Sequence, residues 1–214
     1  MSRLGVPFYP VFLDLLDKHV VVVGGGAVAT SKVRGLLPCR PRPLVVIAPE
    51  VAPFIAQHAA AGALIWLRRA YAEGDLASAD LAFGASDDRA LNARVADEAR
   101  RRGVPVLAVD DVAHCDFIAP AVVERGDLRI AISTGGRSPA MAARARRELE
   151  RLVPHDWGAL LDVAATARER LRKARGRVPS EAWQVALADP QLKRLVEVGR
   201  TEAAVEHLLE RLVA

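Results

Sequence analysis

The sequence predicts an α/β fold: a parallel-sheet domain, then a hairpin with one helix, then an all-helical end. Three observations carry this reading. Apolar runs alternate with helical patterns through the first half of the chain, the pattern of βαβ units. The first run, Val20–Val23, passes straight into Gly24, Gly25 and Gly26 and then into a helix-forming stretch. Beyond Pro154 only helical patterns remain.

Four consecutive valines suit a strand buried on both faces, as in a parallel sheet. The glycines after them read Gly24-x-Gly26-x-x-Ala29, matching the G-x-G-x-x-G/A pattern of a Rossmann-like dinucleotide site. A helix is predicted over 28–37. Further apolar runs at 44–48, 63–67, 81–85 and 104–109 are predicted strands, and helices are predicted over 52–61, briefly near 75–79, and over 90–102. In the last of these, Leu91, Val95 and Ala99 recur at helical spacing, while Arg94, Asp97, Arg100 and Arg101 take the solvated side; Gly103 and Pro105 end it. Residues 1–113 thus form the nucleotide-binding domain.

The rhythm then changes. Two apolar runs flank Glu124, Arg125, Gly126 and Asp127, a polar turn with glycine, so an antiparallel hairpin is predicted. Ser138 as N-cap and Pro139 as first helical residue open a helix that runs to about Val153 and stops at Pro154. Hairpin and helix make up residues 114–153. The end, 154–214, is predicted all-helical: 155–175, 180–187 opened by Ser180, 191–198, and 201–213 opened by Thr201. The basic stretch 172–177 reads as a solvated linker.

Composition bounds the function. The chain has 214 residues, 51% of them hydrophobic, ample for a packed core. A net charge of +4 suits an anionic ligand, while 5% aromatic residues, without a basic stripe among them, argue against nucleic acid. Cys39 and Cys115 give neither a disulfide framework nor zinc spacing, and no stretch of about 20 apolar residues offers a membrane span. A soluble cytoplasmic protein is expected. His114, Cys115 and Asp116 are adjacent, and neighbours on an extended segment face opposite ways, so no metal site is assigned.

The amides of Gly24, Gly25, Gly26, Ala27 and Val28, at a helix N-terminus, would meet a pyrophosphate. Glu50, after Pro49 at the end of the second strand, is the acidic residue for the adenosine ribose, and no arginine directly follows that strand to take a 2′-phosphate. Ala85 and Ser86 would line the nicotinamide side, and Asp87 and Asp88 read as helix N-terminal charge. Ser133, Thr134, Gly135, Gly136, Arg137 and Ser138 form a glycine loop at a helix N-terminus, suited both to capping and to an anion.

Taken in order, PVFLDLLDKHVVVVGGGAVATSKV, VIAPE, AFGASDDRALNARVADEAR and VLAVDDVAHCDFIAPAVVERGDLRIAISTGGRSPAMAARARRELE resemble the precorrin-2 dehydrogenase family of siroheme-synthesis enzymes, over about residues 7–154. The resemblance implies oxidation of precorrin-2 to sirohydrochlorin with NAD as hydride acceptor, with ferrous iron inserted by some members. It implies a catalytic aspartate at the end of the fifth strand, Asp110, although the adjacent Asp111 leaves that assignment open by one position. It further implies that the loop from Ser133 to Ser138 meets the carboxylates of the tetrapyrrole, and that hairpin and helix exchange between two chains in a homodimer. Two alternatives stand beside this: a nucleotide-sensing module without turnover, and a dehydrogenase of another small substrate. For the latter, Tyr71 lacks a lysine four residues on.

Overall fold

The computed structural model describes residues 8–109, 111, 115–174 and 178–213. Asp110, His114 and part of the basic stretch at 172–177 lie outside the described residues. The chain divides into two compact units, Met1–Ala119 and Pro120–Ala214.

The first unit contains β1 (Val20–Val23), α1 (Ala27–Leu36) with a 3-10 turn over Leu37–Cys39, β2 (Leu44–Ile47), α2 (Pro53–Ala60), β3 (Ile65–Leu67), β4 (Leu81–Gly84), α3 (Arg89–Arg102) and β5 (Val106–Ala108). The five strands are parallel in the order β3-β2-β1-β4-β5. β1 is central, with Val20 opposite Leu44 on one side and Leu81 on the other, and its valines are at most 1% exposed. The chain winds outward from β1 to β3, then returns to place β4 on the other side. That reversal opens a crevice at the carboxyl ends of β1 and β4, where doubly wound sheets bind ligands.

The ladder is shorter than the apolar runs. Val104 is buried, yet its amide closes the end of α3 on Ala99 O (2.9 Å), and Pro105 has no N–H to give, so β5 begins only at Val106. The short helix predicted near 75–79 is absent. Successive turns occupy 73–78, because Gly74 takes φ +104° and the amides of Gly74 and Leu76 go to the carboxylate of Glu98 instead of to helical carbonyls.

Glu98, on α3, is fully buried. It accepts hydrogen bonds from the Tyr71 hydroxyl, from Gly74 N (3.0 Å) and Leu76 N (3.3 Å), and from Arg102 Nε (2.7 Å). Burial pushes its pKa up, but the bonds from Tyr71, Arg102 and the two amides outweigh this and hold it below the ordinary 4.5. Replacing it strands several buried donors, so Glu98→Ala should cost about 3 kcal/mol or more of stability in urea unfolding at neutral pH. Because the folded-state pKa is depressed, the carboxylate's contribution is complete above 4.5 and is lost as pH falls below it. The stability gap between the parent and Glu98→Gln should therefore narrow under acid; a gap independent of pH would exclude the ionised form.

In the second unit, β6 (Ala121–Arg125) and β7 (Leu128–Ile132) form an antiparallel hairpin, followed by α4 (Pro139–Leu152), α5 (Trp157–Lys173), α6 (Ser180–Leu187), α7 (Pro190–Glu197) and α8 (Thr201–Val213). Glu124 and Arg125, expected in the turn, belong to β6, since Gly126 at φ +57° and Asp127 suffice to reverse the chain. The Arg125 guanidinium then closes the end of α4, donating to Glu150 O (2.7 Å) and Val153 O (3.2 Å). Ser138 caps α4 as predicted, its Oγ accepting from Met141 N (3.2 Å). Ser180 is not an N-cap: it is the first residue of α6, preceded by Pro179. α7 begins a residue early, on Pro190, because Asp189 accepts from Gln191 N (2.7 Å) and Leu192 N (3.2 Å). Thr201 likewise lies within α8. Val163, Ala167, Leu192, Val205 and Leu208 form this unit's helical core.

Candidate functional site

The three glycines after β1 do different work. Gly24, at φ +128°, donates to Ile47 O (3.0 Å), and a Cβ there would lie 2.3 Å from Ala85 O. A Cβ on Gly25 would lie 2.0 Å from Glu50 O, and Gly25 O accepts from Ala52 N (2.8 Å). Both are glycine because the ends of β4 and β2 close in on the loop. Gly26 is otherwise: it is exposed, nothing lies within 4 Å of its Cβ position, and it is the N-cap of α1 without a side-chain cap. The first amides of α1, Ala27 and Val28 among them, therefore begin an uncapped helix with the positive end of its dipole beside open space.

Against this loop lies a cavity of about 540 Å³. Gly24 and Gly25 line it, with Ile47, Ala48, Pro49 and Glu50 from the end of β2, Ala70 and Tyr71 after β3, Ser86 and Asp88 after β4, and Leu91 and Arg94 from α3. Of the residues proposed from sequence for a cofactor, Gly24, Gly25, Pro49, Glu50 and Ser86 thus share one cavity. Ala85 is buried beneath Gly24, and Gly26, Ala27 and Val28 lead into α1. Ser86 is fixed from below: its amide donates to Asn92 Oδ1 (3.1 Å), its carbonyl accepts from Asn92 Nδ2 (2.8 Å), and Asn92 is 3% exposed. Asp88 caps α3, accepting from Ala90 N (2.8 Å) and Leu91 N (3.2 Å).

Sequence reasoning missed Ala70, Tyr71 and Arg94. Arg94, assigned by its spacing to the solvated side of α3, lines the cavity with Leu91, three residues before it. Its guanidinium carbon is 5.8 Å from the centre of the Tyr71 ring. Burial, and next the bond to Glu98, push the Tyr71 pKa far up, so that hydroxyl stays protonated. Arg94 and Glu50 are both exposed, and among the described residues neither has an ion pair. On α1, burial lowers the pKa of Lys32.

After β5 the chain folds back on itself. Cys115, 2% exposed, donates its thiol to Ala108 O (3.1 Å), and Asp116 pairs with Val106 through both its amide (2.8 Å) and its carboxylate (3.1 Å). Asp111 N donates to Ala108 O (3.3 Å). Among the described residues no three His, Cys, Asp or Glu side chains are grouped to hold a metal, and no helix is long and apolar enough to cross a membrane.

In the second unit, the loop from Ser133 to Ser138 turns through Gly135 and Gly136, at φ +63° and +75°. Its hydroxyls serve the loop itself: Ser133 Oγ accepts from Gly135 N (3.0 Å), and Thr134 Oγ1 accepts from Ser138 N (3.2 Å) and donates to Ser138 O (3.1 Å). Arg137 is exposed at the start of α4.

A family model described as "Putative NAD(P)-binding" matches residues 11–121, and one described as "Sirohaem biosynthesis protein central" matches 125–152. The siroheme synthase of Methylococcus capsulatus is 38% identical over 205 residues, 95% of this chain and 43% of that protein. The siroheme synthase of Azotobacter vinelandii is 36% identical over 209 residues, 97% of this chain and 44% of that protein. The chain therefore spans less than half the length of these relatives. A solved structure titled "SirC, precorrin-2 dehydrogenase" superposes with a TM-score of 0.75 at 27% identity, covering 95% of this chain and 100% of that one.

Proposed function

Because the chain belongs to the siroheme-synthase type of NAD(P)-binding family, we propose that it is an NAD-dependent precorrin-2 dehydrogenase, converting precorrin-2 to sirohydrochlorin in the cytoplasm. The observation that carries the reading is the open glycine loop and its cavity, in a chain that matches a precorrin-2 dehydrogenase over that protein's whole length. The oxidised nicotinamide, when bound, supplies the hydride acceptor. The amides following Gly26 hold the diphosphate, Glu50 and Pro49 border the adenosine ribose, and Ser86 borders the nicotinamide, with Ala85 buried beneath Gly24 rather than facing the cavity. Ser86 is well suited to this, since Asn92 holds its backbone at both ends.

Oxidation removes a hydride and a proton from the macrocycle. Asp110, or Asp111 beside it, accepts the proton; both follow β5 in the chain, and the carboxyl end of that strand lies at the edge of the sheet from which the glycine loop also springs. The loop from Ser133 to Ser138, with Arg137, receives carboxylates of the substrate through amides and a guanidinium. Two chains assemble into a homodimer through hairpin and α4. This reading is supported by Met141 and Leu152, which stand 54% and 75% exposed on α4. Sedimentation of the purified chain at micromolar concentration should show a dimer; a monomer there would remove the exchange of hairpin and helix.

The deciding assay is anaerobic, with enzymatically made precorrin-2 followed by absorbance with and without NAD. Sirohydrochlorin should form together with NADH. Dinucleotide binding without turnover would leave a sensing module in its place. Sirohydrochlorin supplied with ferrous iron and no NAD tests iron insertion separately.

A further inference from the structure

We infer that Arg94 opposes Glu50 in the choice between NAD and NADP: the cavity already contains a cation fit for a 2′-phosphate, and the Glu50 carboxylate keeps that phosphate out. The inference rests on the dinucleotide reading above. Glu50 comes from the end of β2 and Arg94 from α3, yet both line the cavity beside the glycine loop. Neither is neutralised by an ion pair among the described residues, so each offers its full charge to a ligand. Their supports differ in kind. The backbone of Glu50 is held against the loop, its carbonyl oxygen 2.0 Å from the position a Cβ on Gly25 would take. Arg94 stands on a helix anchored by buried Val95 and Asn92, with the Tyr71 ring beside its guanidinium. Tyr71 is in turn held by buried Glu98.

The two charges act on the two ligands with opposite sign. A carboxylate accepts hydrogen bonds from a ribose diol and repels a phosphate dianion. A guanidinium gains little from a diol but makes charge-assisted, bidentate bonds to phosphate. Removing the carboxylate should therefore expose a phosphate site already built, and no new cation need be introduced.

The test uses the full chain and titration calorimetry with NAD, NADP and the nicotinamide-free fragments ADP-ribose and 2′-phospho-ADP-ribose. Glu50→Gln should shift the NAD-to-NADP affinity ratio toward NADP by about tenfold or more, chiefly through tighter NADP binding that weakens with added salt. Adding Arg94→Ala to that variant should abolish the gain and flatten the salt dependence. Both positions are exposed, and thermal melts of each variant check that the fold is intact. The inference is overturned if Glu50→Gln leaves the ratio unchanged, or if the double variant keeps the gain. Binding of neither dinucleotide nor fragment to the parent would instead bring down the dinucleotide reading itself.

Discussion

Gly26→Asp should leave the protein at least as stable as the parent and lower its NAD affinity by about a hundredfold or more. Stability survives because nothing lies within 4 Å of the added Cβ and the residue is the N-cap of α1. Aspartate is among the better N-caps, so its carboxylate satisfies amides that the parent leaves to solvent. Affinity falls for that same reason: the carboxylate occupies the anion position at the helix N-terminus and repels a diphosphate. Losing two amide bonds and adding a like charge amounts to about 3 kcal/mol, or two decades in affinity. Thermal unfolding and calorimetry on one preparation separate the two effects. Gly25→Ala provides the contrast, since its Cβ would meet Glu50 O at 2.0 Å and the fold itself should suffer. Unchanged NAD affinity in Gly26→Asp would remove the cofactor assignment.

Asp110→Ala should keep dinucleotide binding and lose about a hundredfold or more of dehydrogenase turnover, the usual size of a general-base effect. Asp110 lies outside the described residues, so its place in the chain carries the expectation: it comes two residues after β5, whose carboxyl end lies at the same edge of the sheet as the glycine loop. Asp111→Ala should be mild. Full activity in Asp110→Ala with loss in Asp111→Ala would move the base by one position, and activity in both would leave catalysis to hydride positioning. Anaerobic turnover of precorrin-2, beside calorimetry with NAD, distinguishes these cases. If Asp110→Ala still inserts iron into supplied sirohydrochlorin, oxidation and insertion use different groups.

Much of the first unit was legible because its signals are local. Four valines can be buried on both faces only inside a sheet, and glycines between a strand and a helix leave few other turns. Ser138, Pro139 and Gly103 mark helix ends through their own chemistry. What escaped was set by residues distant in the chain. Glu98 resembles any charged residue on a solvated helix, and nothing near it shows that it will be buried to gather Tyr71, Gly74 and Leu76. The helix expected near 75–79 failed for that reason. Arg94 was read by helical periodicity as solvated, and it is exposed; periodicity does not show that it also lines a cavity at the rim of the sheet. Glu50 was singled out by its spacing after the glycines, and it lines the cavity. The cation sharing its cavity was not, because it arrives only after β3 and β4 have been laid down.

The central place of β1 bears on how the protein is made. On the ribosome β1 emerges before both of its neighbours, β2 pairs with it soon after, and β4 appears only once β3 and the turns after it have been synthesised. Through that interval the central, fully buried strand of the sheet has one unpaired edge, and two nascent chains on one message hold identical edges in close proximity. Such an edge is a template for pairing between chains. The vulnerable window closes when Leu81–Gly84 leaves the exit tunnel, so slow translation between β2 and β4 would raise the demand for chaperones more than a pause anywhere after α3.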